Sequence, residues 1–282
     1  MSAVAISNVL VSTDWALEHL NDADKRFVEV DVDTTQYEQG HLPGAVAFNW
    51  QTQLQDQVAR DIISQENLEA LLSASGISPQ TAIILYGDNN NWFAAYAFWI
   101  LKYYGHEDVR LIDGGRKKLV AEGRALTSEV PSYAPTNYKV SKIQEHLRAD
   151  RDFVKDRLKK DAFALIDVRS PAEYVGDVIA PPGMTETAQR AGHIPGAKNV
   201  PWGTAVREDG TFKSVEELKQ IYGGKGVSDE KEVVAYCRIG ERSSHTWFAL
   251  TYLLGLKDVR NYDGSWTEWG NLVGAPIVKG AE

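Results

Sequence analysis

Cysteine is almost missing from this sequence: Cys237 is the only one. A lone cysteine excludes an internal disulfide and a Cys-based zinc site, so its sulfur is expected to be either packed away or reactive. Long apolar runs are absent as well, none approaching the roughly 18 residues of a membrane-spanning helix. The opening stretch MSAVAISNVLVSTDWALEHL lacks a basic leader and a long apolar core, so it does not read as a signal peptide and predicts a cytoplasmic protein. Positive charge is in deficit, with 39 Asp and Glu against 30 Lys and Arg and a net charge of -9. That balance argues against nucleic acid or an anionic membrane as partner, and any anionic ligand must be drawn in by a local basic site. His19, His106 and His146 show no ligand spacing, so no metal site is expected.

What is present is the composition of a globular protein, 43% apolar and 24% charged, in a 282-residue chain long enough for two domains. The chain also repeats itself. GHLPGAVAFNW (Gly40–Trp50) matches GHIPGAKNVPW (Gly192–Trp202), and each follows a strand-like segment ending in acid, RFVEVDVD and FALIDVR. Further matches hold a constant offset of 150: Tyr86 with Tyr236, Gly105 with Gly255, Asp108-Val109-Arg110 with Asp258-Val259-Arg260, and Asp113-Gly114 with Asp263-Gly264. Matched blocks in the same order imply a duplicated domain. Within each copy short apolar runs alternate with helix-compatible stretches, as in FALIDV, SVEELKQIYGG, EVVAYC and SSHTWFALTYLLG. This predicts an α/β fold of two tandem domains, each a parallel sheet flanked by helices. The irregular RALTSEVPSYAPTNYKV reads as the connection, dividing the chain into residues 1–135 and 136–282.

Cys237 follows the strand-like VVAY and precedes SSHTWFALTYLLG, expected to be a helix capped by Ser243 or Ser244. Open α/β sheets place ligand crevices at such strand ends, and a loop entering a helix points N–H groups inward, favouring anions and thiolate. Arg238 and Arg242 are expected to lower the cysteine pKa further and to attract a doubly charged oxyanion, while Gly240 supplies a turn costly for other residues. A lone cysteine is more often a small buried hydrophobe, but the arginines and the helix entry favour a nucleophile. At the same offset the first copy has Gly87 for the cysteine, and Asp88 and Trp92 for the arginines. It is therefore read as structural, closing one side of the pocket.

The segments VSTDWALEHL, GHLPGA, GHIPGA, LIDGGRKKL, CRIGERSS and YDGSWTEWG, in that order, make the chain strongly resemble the two-domain rhodaneses, the thiosulfate sulfurtransferases. The resemblance implies two rhodanese-like domains, the first inactive and the second carrying Cys237 as the catalytic residue at the interdomain cleft. It also implies a cysteine persulfide, a small anionic sulfur donor, a thiophilic acceptor such as cyanide, and no metal or organic cofactor. A monomer is expected. Arg238 directly after Cys237 resembles the thiosulfate enzymes more than the 3-mercaptopyruvate sulfurtransferases, whose loops are small and uncharged. Only four residues separate Cys237 from Arg242, whereas the rhodanese-fold phosphatases have five. A sulfur carrier without appreciable turnover is the alternative from another class.

The substrate-binding set expected from the loop is Arg238, Gly240, Arg242 and Ser243, with Arg169 and Arg190 as further candidates. Two departures from the family pattern stand out: Ile239 where a lysine is common, and Glu173 where an arginine is often found, a charge Arg242 is expected to replace. His41 and His193 occur in both copies and read as turn residues; His245 reads as a packing or solvent residue. Asp167 is expected to orient Arg169 or a loop N–H, or simply to form a turn, as is Asp31. GGRKKL (Gly114–Leu119) reads as a solvated helix start. Trp266 and Trp269 are expected to pack, and Trp92, Trp99 and Trp247 to line the domain interface.

Overall fold

A computed structural model describes residues 9–183 and 187–281. The chain divides into two compact units, the first running to Gln144 and including Val206–Phe212, the second formed by Glu145–Ala205 and the chain from Lys213 onward. Each unit contains one five-stranded sheet in which every pairing is parallel.

In the first unit β1 (Leu10–Val11), β2 (Lys25–Glu29), β3 (Val46–Ala47), β4 (Ala82–Tyr86) and β5 (Val109–Ile112) lie in the order β1-β5-β4-β2-β3. In the second, β6 (Arg148–Ala149), β7 (Phe163–Asp167), β8 (Lys198–Asn199), β9 (Glu232–Tyr236) and β10 (Val259–Tyr262) repeat it as β6-β10-β9-β7-β8. The duplicated α/β fold read from the repeats is therefore present.

The central strands show why these segments pair. AIILY in β4 is buried at every position, and EVVAY in β9 at all but the first. Side chains alternate between faces, so a run apolar on both faces is stable only where helices cover both. Leu165, Val234, Tyr236, Tyr262, Trp266 and Trp269 form one core in the second unit; Phe27, Ile84, Tyr86, Ile112 and Leu119 belong to one in the first. Full burial of one such side chain stabilises by about 1.5–3 kcal/mol. Trp266 and Trp269 pack as expected, their indole N–H groups donating to Arg190 O and Pro276 O. The predicted SVEELKQIYGG helix forms at Val215–Gly223, opened by Ser214 in a reciprocal cap with Glu217.

Strand order also locates the crevice. From β7 the chain moves outward to β8, and from β9 it moves the other way to β10, so the order reverses between β7 and β9. Ligands bind outside the carboxyl ends of the strands at such a switch point. There the residues after β7 (Val168 onward) face those after β9 (Cys237 onward).

Candidate active site

Cys237 is the first residue beyond β9 and is fully buried. Its N–H donates to Ser265 Oγ at 3.0 Å and its carbonyl accepts from Trp266 N at 3.1 Å, which ties the loop to the helix Ser265–Trp269. The chain then turns at Gly240, whose φ of 96° and whose would-be Cβ, 2.6 Å from Asp263 Cβ, admit no side chain. The following helix, Glu241–Phe248, is entered through Gly240 rather than through Ser243 or Ser244. Both serines lie inside its first turn, because a left-handed glycine already reverses the chain there. Ser244 Oγ donates back to Gly240 O at 2.7 Å.

Three groups meet the sulfur. Gly240 N–H donates to Sγ at 3.2 Å, and Sγ donates to Glu241 Oε2 at 3.2 Å. Ser243 Oγ lies 3.5 Å away, but its proton is better placed on Asn261 Oδ1 at 2.6 Å. Burial, with the charge of Glu241, pushes the thiol above its ordinary range, against the opposing effects of Arg242 and of the Ser243 groups. The direction is opposite to the expected lowering, first because the thiol is buried and second because the Glu241 carboxylate lies beside it. Glu241 Oε1 is 3.7 Å from Arg238 Nη2 and 3.7 Å from Arg242 Nε.

Arg242 is held on its other side by Glu173, with Nη1 to Oε2 at 3.0 Å and Nη2 to Oε1 at 3.1 Å. Burial disfavours the Glu173 charge, but the hydrogen bonds and charge of Arg242 and the Ser170 N–H carry its pKa below the usual carboxylate value. Ser170 and Glu173 also close a capping box on the helix Pro171–Val175, so the carboxylate is fixed by its own helix start. Glu173 is thus not a vacancy awaiting a charge from Arg242 but its partner.

A cavity of about 600 Å³ opens beside this pair, lined by Ser170, Glu173, Pro201, Trp202 and Arg242 among others. Cys237 does not line it. His245 is buried edge-on to Trp202, and burial takes its pKa down to about 3, which makes it a neutral packing residue and excludes a solvent role.

The remaining candidates are committed elsewhere. Arg169 is fully buried; its Nη2 donates to Asp167 Oδ2 at 2.6 Å and to Gly192 O at 2.7 Å, and its guanidinium lies over Trp266. Asp167 orients it, as one sequence reading held, and also accepts from Tyr236 Oη. Arg190 donates to the carbonyls of Trp269, Gly270, Leu272 and Ala275, which makes it a clamp on the chain after Trp269. Neither guanidinium hydrogen-bonds the sulfur: Arg190 is taken up by four carbonyls, and Arg169 by Asp167 through Nε and Nη2 and by Gly192 O through Nη2. Arg116, placed on a solvated helix start, is instead buried and paired with Glu29 and Gly40 O. His41 and His193 stack on Tyr37 and Tyr174 and bond their carbonyls, as turn residues do.

Sequence reasoning missed Glu241 and Asn261. Asn261 Nδ2 donates to Gly240 O at 3.0 Å and Ser244 Oγ at 2.9 Å, fastening the loop to β10. Its signal was available: the residue 150 positions earlier is Leu111, so an apolar strand site has become polar in the copy with the cysteine. The signal for Glu241 was a single acid between two arginines.

Among the described residues no helix is long and apolar enough to cross a membrane, and no cluster of His, Cys, Asp and Glu could hold a metal ion. Comparison with known proteins gives a consistent result. The chain is 57% identical over 97% of its length, and 98% of the relative's, to a Thermus thermophilus protein named "Sulfur carrier protein TtuD". It is 57% identical over 95% of both chains to a Saccharopolyspora erythraea protein named "Putative thiosulfate sulfurtransferase". The solved anaerobic ergothioneine biosynthesis enzyme of Chlorobium limicola, in complex with trimethyl histidine, superposes with a TM-score of 0.85 at 28% identity, covering 100% of this chain and 72% of that one. The rhodanese-like domain profile matches twice, at residues 12–122 and 150–272, and the chain belongs to the rhodanese family.

Proposed function

We infer that this protein is a sulfurtransferase in which Cys237 accepts a sulfane sulfur, with thiosulfate as the favoured donor. The thiolate attacks the outer sulfur of thiosulfate, the sulfur–sulfur bond breaks, and sulfite leaves with that bond's electron pair, so the cysteine becomes a persulfide anion. An acceptor such as cyanide then takes the outer sulfur as thiocyanate and returns the thiolate. Two easier displacements replace one difficult transfer.

One observation carries this reading: a cysteine at the carboxyl end of the central strand β9, at the reversal of strand order, receiving the Gly240 N–H on its sulfur. That N–H would stabilise the persulfide anion as an oxyanion hole does an alkoxide. Arg238 and Arg242 would hold the donor's oxygens, Gly240 would shape the loop, and Ser243, 3.5 Å from Sγ, would contact the transferred sulfur.

Two other readings have support. The Thermus relative's name and the complete burial of Cys237 favour a carrier loaded by a partner protein. The balance of two arginines by Glu173 and Glu241 favours a donor of lower charge, such as 3-mercaptopyruvate. Steady-state thiocyanate formation from cyanide separates them. Turnover with thiosulfate above that with 3-mercaptopyruvate is expected; the reverse preference would replace the donor, and no turnover with either would leave the carrier.

A further inference from the structure

The groups that could cradle a donor's oxyanion beside Sγ are already in contact with a carboxylate of the protein itself. Glu241 Oε2 accepts the Ile239 N–H at 3.1 Å and the thiol at 3.2 Å, while Oε1 faces Arg238 and Arg242, each at 3.7 Å. Glu241 is fully buried, so its charge is not screened by water. With Glu173 paired to Arg242, two carboxylates offset the two arginines, and no net positive charge is left for a doubly charged donor.

Two further charged pairs stand near the loop: Asp263, after β10, whose oxygens Arg148 binds at 2.8 Å, and Asp167 with Arg169 at the end of β7, at 2.6 Å. Asn261 and Ser265, which pack on the loop from β10 and the next helix, are neutral. In the first unit the residue 150 positions before Glu241 is Asn91, also buried, whose Oδ1 accepts the Gly87 N–H. Both copies thus fold a side chain back at this position, and only the copy with a thiol uses one that carries charge.

We propose that Glu241 is the donor-selecting residue of the Cys237 loop: its carboxylate fills the loop's anion cradle and must be displaced before a dianionic donor can enter. The proposal rests on Cys237 being the sulfur acceptor. Its opposite would be a Glu241 that serves catalysis as proton acceptor, and the two roles move the observables in opposite directions.

The test is Glu241→Gln, which keeps the size and the acceptor for Ile239 N–H, with Glu241→Asp as the charge-retaining comparison. The readouts are the pH profile of Cys237 alkylation by uncharged iodoacetamide, and KM for thiosulfate and for the singly charged 3-mercaptopyruvate. For Glu241→Gln the alkylation midpoint should fall by about one pH unit or more, because a like charge beside the thiolate is gone. KM for thiosulfate should fall about fivefold, and KM for 3-mercaptopyruvate less than about twofold. Glu241→Asp should return the midpoint toward the wild-type value. An unchanged or raised midpoint in Glu241→Gln, or a reduced kcat with KM for thiosulfate unchanged or raised, would overturn the proposal. If Glu241→Gln does not fold, Glu241→Ala carries the same test: a lowered alkylation midpoint and a lowered KM for thiosulfate are expected, and an unchanged or raised midpoint overturns the proposal. Intact-mass measurement after adding thiosulfate keeps the two ideas apart, since a wild type that gains no sulfur defeats the functional reading while the alkylation profiles still decide the place of Glu241.

Discussion

The loop after β4 and the loop after β9 occupy the same place in two copies of one sheet, yet only the second has room for a side chain at its first position. A Cβ on Gly87 would lie 2.0 Å from the Val30 carbonyl oxygen. The first loop then runs through Asn89, Asn90 and Asn91, all at positive φ between 48° and 64°, a strained path that asparagine tolerates better than most residues. The second needs positive φ only at Gly240 and at Ser265, beside it in space. The first copy therefore lacks more than a thiol, for its backbone leaves no room where one would sit.

A second contrast lies under the loops. Each sheet ends a strand in a buried acid that accepts from a tyrosine of the central strand: Glu29 from Tyr86 Oη at 2.6 Å, and Asp167 from Tyr236 Oη at 2.7 Å. Each acid is paired with a buried arginine that also donates to the carbonyl preceding the turn histidine, Gly40 O or Gly192 O. The arginines come from different elements, Arg116 from the helix after β5 and Arg169 from the chain after β7. Where the first copy has Arg116, the second has Trp266, and the guanidinium of Arg169 lies over that ring at 4.5 Å. A buried charge requires a partner but does not dictate which element supplies it.

The largest expected effect comes from moving the thiol. Cys237→Ser should abolish thiocyanate formation, and adding Gly87→Cys to it should restore none, while destabilising the first unit by about 3 kcal/mol through the clash with Val30. Recovered turnover in the double variant would break the comparison. Next, Arg116→Met and Arg169→Met should each cost about 3–5 kcal/mol in denaturant unfolding, since each strands a buried carboxylate, and Glu29→Gln should recover part of the loss in the first case. A cost below about 1 kcal/mol would show that these acids are not held by their arginines.

Asn261→Leu, which installs the first copy's residue, should cost about 1–3 kcal/mol and lower turnover, because Gly240 O and Ser244 lose their donor. A pH dependence is expected from Asp31, the first-copy counterpart of Arg169. Burial, followed by the charge of Glu29, raises its pKa to about 9. An unfolded Asp titrates near about 4, so across this window the folded state holds the extra proton and stability declines as pH rises. Asp31→Asn should flatten that decline, and a slope equal to wild type between those values would remove Asp31 from the account.

Much of this was legible in the sequence because it is local. Matched blocks gave the duplication, apolar runs gave the strands, and Ser214 with Glu217 announced a helix start. Part of what escaped depends on residues far apart in the chain. Glu173 and Arg242 are 69 positions apart, and Arg116 and Glu29 are 87. Reading charges only along the loop therefore made Arg242 an unopposed cation and Arg116 a solvated one. Helix entry at Glu241 was missed because serine is the common cap, whereas here the geometry is set by Gly240 at φ 96° against Asp263. The raised thiol pKa escaped for two other reasons: the complete burial of Cys237 came first, and Glu241, only four positions away, was counted as loop rather than as neighbour.

The most direct test of the central claim, that Cys237 takes a sulfane sulfur, is the intact mass of the protein after exposure to thiosulfate alone and removal of excess donor. The account predicts a wild type heavier by one sulfur atom, a Cys237→Ser variant of unchanged mass, and return of the wild type to its starting mass on adding cyanide. A wild type that gains no mass, or a Cys237→Ser variant that gains as much, would contradict it.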